Sequence, residues 1–339
     1  MLKLPKTGYE LLTCFFPLQL DCYVGCSHKC IYCYAENYKK KVRKIKITNL
    51  KEIMKSYKER ESPIGMAIKK KIPIRLGART DCFQEIERKE KITKRVIEEL
   101  NELNHPYIII TKSPLVADYI DILNEKLAVI QFSISTLNDG IIKKLEPYAP
   151  FPSQRLKAME ELSNAGFITI ARFSPIIPSV NLNEAEKIME RIADYTKHVI
   201  VEFLRAREEI VKILELGDYV KKGYYYRYNL HKKLKAYEKL KELANNYGLK
   251  FSICSDGDKV PYYLSDTINC CGIKLNGVEK VAAMVYEEAR KRKEVTLEHM
   301  EKYWHPMPHK FIKEWLNGRF EELIYRLKWN EEKQSYKLE

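Results

Sequence analysis

This 339-residue chain has no apolar run as long as the roughly 18 residues that a membrane-spanning helix needs. Its longest apolar stretches, such as Tyr107–Ile110 and Ala128–Ile130, are strand-sized. No membrane span or membrane partner is therefore expected. The opening segment, Met1 to Glu10, is short and polar and does not read as a signal peptide. Nine cysteines is an odd count, and without an export signal they do not read as a disulfide framework. Low-complexity linkers and long internal repeats are missing too. Acid is in deficit: 46 Asp and Glu stand against 60 Lys and Arg, a net charge of +14. A positive excess of that size favours polyanions, nucleic acid first.

What is present begins with a loop. Gly25-Cys26-Ser27-His28-Lys29-Cys30-Ile31-Tyr32-Cys33-Tyr34 follows an apolar stretch, Phe15 to Leu20. The spacing C-x3-C-x2-C can hold three irons of a [4Fe–4S] cluster and leave the fourth iron open. Zinc is the first alternative, with His28 as a fourth ligand, but His28 lies inside the loop and would strain the turn. Three buried core cysteines are the second, although core residues need no Gly-Cys-Ser loop. Thiols and an oxygen-labile cluster would place the protein in a reducing cytoplasm.

Along the chain, short apolar strands alternate with amphipathic segments as far as about Arg205. Strands are expected at Pro17–Asp21, Pro73–Gly77, Tyr107–Thr111, Val129–Ser135, Thr169–Phe173 and Val199–Phe203. Helices are expected at Glu87–Leu103, Pro114–Leu123, Ser153–Ala165 and Leu182–Tyr195, with Ser153 and Asn181 as candidate N-caps. Six βα repeats imply a parallel sheet with right-handed crossovers, hence an α/β fold with a partial (β/α)6 TIM-type barrel over 1–205. A mainly helical C-terminal extension, 206–339, would follow. It comprises a basic Tyr-rich helical stretch to about Asn246, a strand at Lys250–Ile253, and helices from about Gly277 to Lys293 and Met307 to Leu327. Two basic clusters stand out: Lys39 to Lys46, and Tyr219 to Tyr237, which holds six cations and six tyrosines and no acid. Interleaved aromatics and cations suit exposed bases and phosphates. The same pattern also fits a solvated helix face with its tyrosines packed inward.

The cysteine loop resembles the signature of the radical S-adenosylmethionine (SAM) superfamily, with Tyr32 in its aromatic place. The runs Thr80-Asp81-Cys82-Phe83-Gln84, Thr111-Lys112-Ser113, Ser133-Ile134-Ser135-Thr136, Glu146-Pro147, Arg155-Leu156 and Pro175-Ile176-Ile177-Pro178 are similar to the spore photoproduct lyase-like branch over roughly residues 12–205. The resemblance implies a SAM-binding [4Fe–4S] cluster on Cys26, Cys30 and Cys33. It implies reductive cleavage of SAM to a 5′-deoxyadenosyl radical that takes hydrogen from substrate. It also implies an electron donor of flavodoxin or ferredoxin type. Tyr32, Thr80, Asp81, Lys112, Ser133, Ser135 and Arg172 are the expected SAM-binding or substrate-binding residues. Arg155, on a presumed helix, is expected in a salt bridge. One departure concerns hydrogen donation. Matching the lyase's Asp to Asp81 puts Ala78 where the lyase has its donor cysteine, so lesion repair of that kind is not implied. Cys82, on the other side of Asp81, is the candidate donor.

Cys254, Cys270 and Cys271, before Gly272, form a second group and a candidate auxiliary iron–sulfur site. Adjacent side chains diverge, which counts against Cys270 and Cys271 sharing one cluster. A fourth ligand among Cys14, Cys22, Cys82 or a histidine cannot be chosen from sequence. The functional reading is a radical SAM enzyme (lyase or transferase type) acting on nucleic acid. The alternatives are action on a small metabolite or peptide, and a non-enzymatic iron–sulfur protein.

Overall fold

The computed structural model describes residues 2–3, 14, 18–35, 40–47, 49–60, 62–254, 258–272, 281–300 and 318–339. Seven parallel strands form one sheet in chain order: β1 (Gln19–Leu20), β2 (Ile74–Leu76), β3 (Tyr107–Thr111), β4 (Ala128–Ser133), β5 (Ile168–Ile176), β6 (His198–Phe203) and β7 (Lys250–Ile253). Leu2–Lys3 pairs antiparallel with β1 at the edge. Consecutive strands are neighbours because each crossover returns the chain beside the strand it left. All six residues of β4 are buried, as in a parallel sheet covered on both faces. Among the described residues β1 and β7 do not pair, so the sheet is an open, partial barrel. The sequence pattern counted six strands before residue 205. The seventh comes from beyond that point, in register Phe251↔Val199.

Helices α1 (Leu50–Lys58), α2 (Ile92–Glu102), α3 (Pro152–Asn164), α4 (Ala185–Ala193) and α5 (Leu230–Asn246) flank the sheet. On α2 the buried face is Ile92, Val96, Ile97 and Leu100, at the spacing that gives a helix one apolar side. The single helix expected from Glu87 to Leu103 is broken: Lys91 is left-handed and α2 restarts after it. The buried Glu87 carboxylate fills the break. It accepts the backbone N–H groups of Thr93 (2.9 Å) and Lys94 (3.0 Å) and the hydroxyls of Tyr119 (2.8 Å) and Tyr23. Pro114–Tyr119 is a 3₁₀ turn. Pro152 opens α3, so Ser153 falls inside the first turn, not at the cap. Asn181 caps nothing. Its amide donates to Ser135 O and Pro175 O and so ties two strand ends together.

The extension differs most from expectation. The Tyr-rich segment predicted as helical opens as a β-hairpin, Tyr219–Lys222 with Tyr225–Tyr228, and only then becomes α5. Aromatic residues favour strands, and Gly223, at φ +63°, supplies the turn conformation that a two-residue hairpin needs. Arg205–Ala206 completes this small sheet. Residues 307–317 of the expected terminal helix lie outside the described residues; 318–339 form a 3₁₀ turn and two strands instead. These pack with helix α6 (Val281–Arg292) around Val285, Phe320 and Tyr336 as a second core. No helix among the described residues is long and apolar enough to cross a membrane.

Two buried histidines brace the sheet. His105 bonds Ile72 O through Nε2 at 2.9 Å, and His198 at the start of β6 bonds Ser252 on β7. Burial pushes both imidazoles down from 6.5 to about 4. The unfolded chain therefore takes up protons that the folded chain does not, as pH falls. Their contribution to stability is complete above about pH 6.5 and is lost toward about pH 4. In urea denaturation across that window, His105→Gln should flatten the pH slope. An unchanged slope contradicts this assignment.

Candidate active site

The C-terminal ends of the strands open on one cavity of about 290 Å³, the end at which parallel barrels carry their chemistry. The loop after β1 brings Cys26, Cys30 and Cys33 to its wall. Gly25 turns this loop at φ +74°, and a Cβ there would stand 2.9 Å from Lys41 O, so glycine is required. Buried Gln84 then holds the loop from both sides. It donates to Gly25 O at 3.2 Å and accepts the Ser27 N–H at 2.8 Å. Burial and the nearby Asp81 push the Cys26 thiol up to about 11, and burial raises Cys30 further. Without metal these thiols are neutral, so metal binding must displace their protons.

Glu146 lies fully buried behind the loop. Its carboxylate accepts the Tyr32 hydroxyl, the Arg155 guanidinium and, at 2.9 Å, the Ser135 hydroxyl. Burial alone would raise its pKa, but Arg155, Lys112 and the Tyr32 hydroxyl hold it at about 2. Arg155 also donates to Ser133 O and Pro150 O, both at 2.9 Å. It forms the salt bridge expected of it, fully buried in the interior. Lys112 lies nearby, its ammonium 5.9 Å from the centre of the Tyr32 ring. Burial opposes its charge, but the Glu146 carboxylate outweighs that and its pKa rises. A permanent cation therefore borders the cavity beside the cysteine loop.

Tyr32, Thr80, Asp81, Lys112, Ser133 and Arg172 all line the cavity. Asp81 is heavily engaged. It accepts from Thr111 Oγ1 (2.8 Å), Phe83 N (2.9 Å) and Lys112 N (2.7 Å), which fixes the backbone of Lys112. Its other neighbour is His28, 3.5 Å away. His28, the ligand a zinc site would need, is thus buried against Asp81. Among the described residues no three His, Cys, Asp or Glu side chains are grouped so as to hold a single metal ion.

Two expected residues stand off the cavity wall, and Arg172 lines it with partners outside the cysteine loop. Ser135 lies past the end of β4 and turns to Glu146, not to the cavity beside Ser133. Arg172 lines the cavity and is bonded to Gln131 (3.0 Å), Glu202 (3.2 Å) and Cys254. Cys82, the candidate donor, is wholly buried in the main core, outside the cavity wall. Packing of the Asp81 loop turns its thiol inward, so it cannot meet a ligand there. Cys254, Cys270 and Cys271 do line the cavity. Sequence reasoning assigned no role to Glu146 or Gln84, although both sit in the motif runs. Arg205, at the cavity mouth, carried no sequence signal.

The Radical SAM superfamily model matches residues 20–192. An uncharacterized protein of Methanocaldococcus jannaschii is 28% identical over 203 residues, 57% of this chain and 73% of its own length. An uncharacterized protein of Acidianus two-tailed virus is 25% identical over 187 residues, 50% of this chain and 61% of its own. Spore photoproduct lyase complexed with dinucleoside spore photoproduct has a similar fold, with a TM-score of 0.55 and 17% identity over 75% of this chain and 79% of that one. Streptococcus suis SuiB bound to S-adenosylmethionine gives a TM-score of 0.50 and 13% identity over 74% and 52%.

Breaking a buried ion pair leaves an uncompensated charge and costs about 3–5 kcal/mol. Glu146→Ala should therefore destabilise the protein by about that much in urea denaturation. The pair Glu146→Gln with Arg155→Met should recover part of the loss. A wild-type midpoint for Glu146→Ala contradicts the role given to this carboxylate.

Proposed function

The chain belongs to the radical SAM superfamily, and from that premise we propose that Cys26, Cys30 and Cys33 hold a [4Fe–4S] cluster to which SAM binds. Carrying this reading is the placement of three thiols and the Lys112 ammonium on one cavity wall. Three thiolates satisfy three irons and leave one open. The bound cofactors would supply one-electron cleavage of SAM and a 5′-deoxyadenosyl radical. The chain's own residues do the positioning. Asp81 fixes the backbone of Lys112, whose ammonium is a compact charge for the SAM carboxylate. Glu146 anchors Tyr32, and Thr80, beyond β2, and Ser133, at the end of β4, bring hydroxyl side chains to the same cavity. Cleavage needs an outside one-electron donor of flavodoxin or ferredoxin type.

We further propose a nucleic acid as substrate. Arg205 lines the cavity and stacks over Tyr34 (5.7 Å) and Tyr225 (4.9 Å). That contact joins the cavity to the hairpin, whose tip residue Tyr224 is 76% exposed near exposed Lys221, while Lys222 reaches back to Asp258 at 3.0 Å. The basic Tyr-rich set divides in two. Tyr228 and Tyr237 pack on Phe203, and Lys233 pairs with buried Asp258, so these serve the core. The tip faces solvent, where rings can stack on bases and ammonium groups can meet phosphates.

Reconstituted anaerobically and reduced with dithionite, the protein should convert SAM to 5′-deoxyadenosine, and joint replacement of Cys26, Cys30 and Cys33 by Ala should abolish the product. Wild-type protein that forms none would refute the radical assignment. Labelled tRNA or single-stranded DNA should bind with a steep salt dependence. Tyr224→Ala should weaken that binding about tenfold, the scale of one stacked base. No binding at low salt would turn the reading to a small metabolite or peptide held in the cavity.

A further inference from the structure

Seven of the nine cysteines line the one cavity. The other two, Cys22 and Cys82, lie in the main core, where a thiol acts as a small hydrophobe. Three of the seven belong to the loop after β1. The remaining four, Cys14, Cys254, Cys270 and Cys271, come from three distant parts of the chain.

Cys254 follows β7, at the far edge of the sheet from β1, and its N–H is fixed to Val201 O at 3.0 Å. Cys270 and Cys271 occupy a turn that ends at Gly272. Gly272 has φ +78°, and a Cβ there would stand 2.5 Å from Ile170 Cδ1. Only glycine lets the turn seat this closely on β5. The turn answers the objection that adjacent cysteines diverge, because it brings their sulfurs to 3.8 Å. Buried Arg172 completes the wall by bonding Cys254, with Glu202 at 3.2 Å. Arg172 is shared between Cys254 and Glu202 beside this group of thiols, and four thiolates are the usual complement of an iron–sulfur cluster.

We infer that Cys254, Cys270, Cys271 and Cys14 hold a second iron–sulfur cluster on the wall of the same cavity. Cys14 is the fourth ligand because Cys22 and Cys82 do not reach the cavity. Arg172 is then a positioning residue that offsets the thiolate charge.

The test is iron and sulfide content after anaerobic reconstitution of the full chain. The variant with Cys26, Cys30 and Cys33 replaced by Ala should keep the iron and sulfide of one cluster and wild type should carry more than that. The variant with Cys254, Cys270 and Cys271 replaced by Ala should likewise lose one cluster's iron, while Cys14→Ser should alter the spectrum of the second cluster. An iron-free first variant, zinc in place of iron at the second site, or full iron in the second variant would overturn the inference. Should the second variant not fold, Mössbauer spectra of wild type decide: two cluster signals support a second site, and one refutes it. A second variant that keeps full iron and still forms 5′-deoxyadenosine would refute this site alone and leave the proposed function standing.

Discussion

The site depends on one buried carboxylate. Glu146 has no water to stabilise its charge, so the fold must supply every partner. It does so from three separate segments: Tyr32 of the cysteine loop, Ser135 beyond β4 and Arg155 of α3. Desolvation is then outweighed, and the group stays ionised. The same charge raises the pKa of Lys112 in a place where burial alone would lower it. Cysteine loop, strand end and cation are thereby fixed relative to one another before any ligand enters, the preorganisation that a reactive site needs.

The parallel sheet makes this economical. Each strand delivers its next few residues to the same end, so distant runs meet without a dedicated scaffold. Gly25, in the loop after β1, and Gly272, against β5, play matching parts. Each takes a conformation and a clearance that other residues lack, and each seats a cysteine turn on the cavity. The hairpin and Arg205 then extend the cavity mouth into an exposed, cationic and aromatic ridge.

Much of this was legible in the sequence. β3 and the strand Lys250–Ile253 fall where alternating apolar runs put them, and the cysteine spacing located the loop. What could not be read was tertiary. Nothing local says that Lys91 breaks a helix so that Glu87 can cap its continuation, or that Ser135 turns from the cavity toward Glu146. Cys82 was expected at the site because it shares a loop with Asp81, whereas its own side chain packs into the main core beside buried Phe83. The hairpin was missed because its Lys and Tyr residues suit either a helix face or an alternating strand, and only pairing with Arg205–Ala206 decides between them.

The central claim is that the cavity presents SAM directly to a cluster held by Cys26, Cys30 and Cys33. The most direct measurement is the electron paramagnetic resonance spectrum of the reduced, reconstituted protein before and after SAM is added. Direct ligation predicts that the reduced cluster's g-values shift on addition, and that the shift is lost in the variant lacking these three cysteines. A spectrum unchanged by saturating SAM would contradict it.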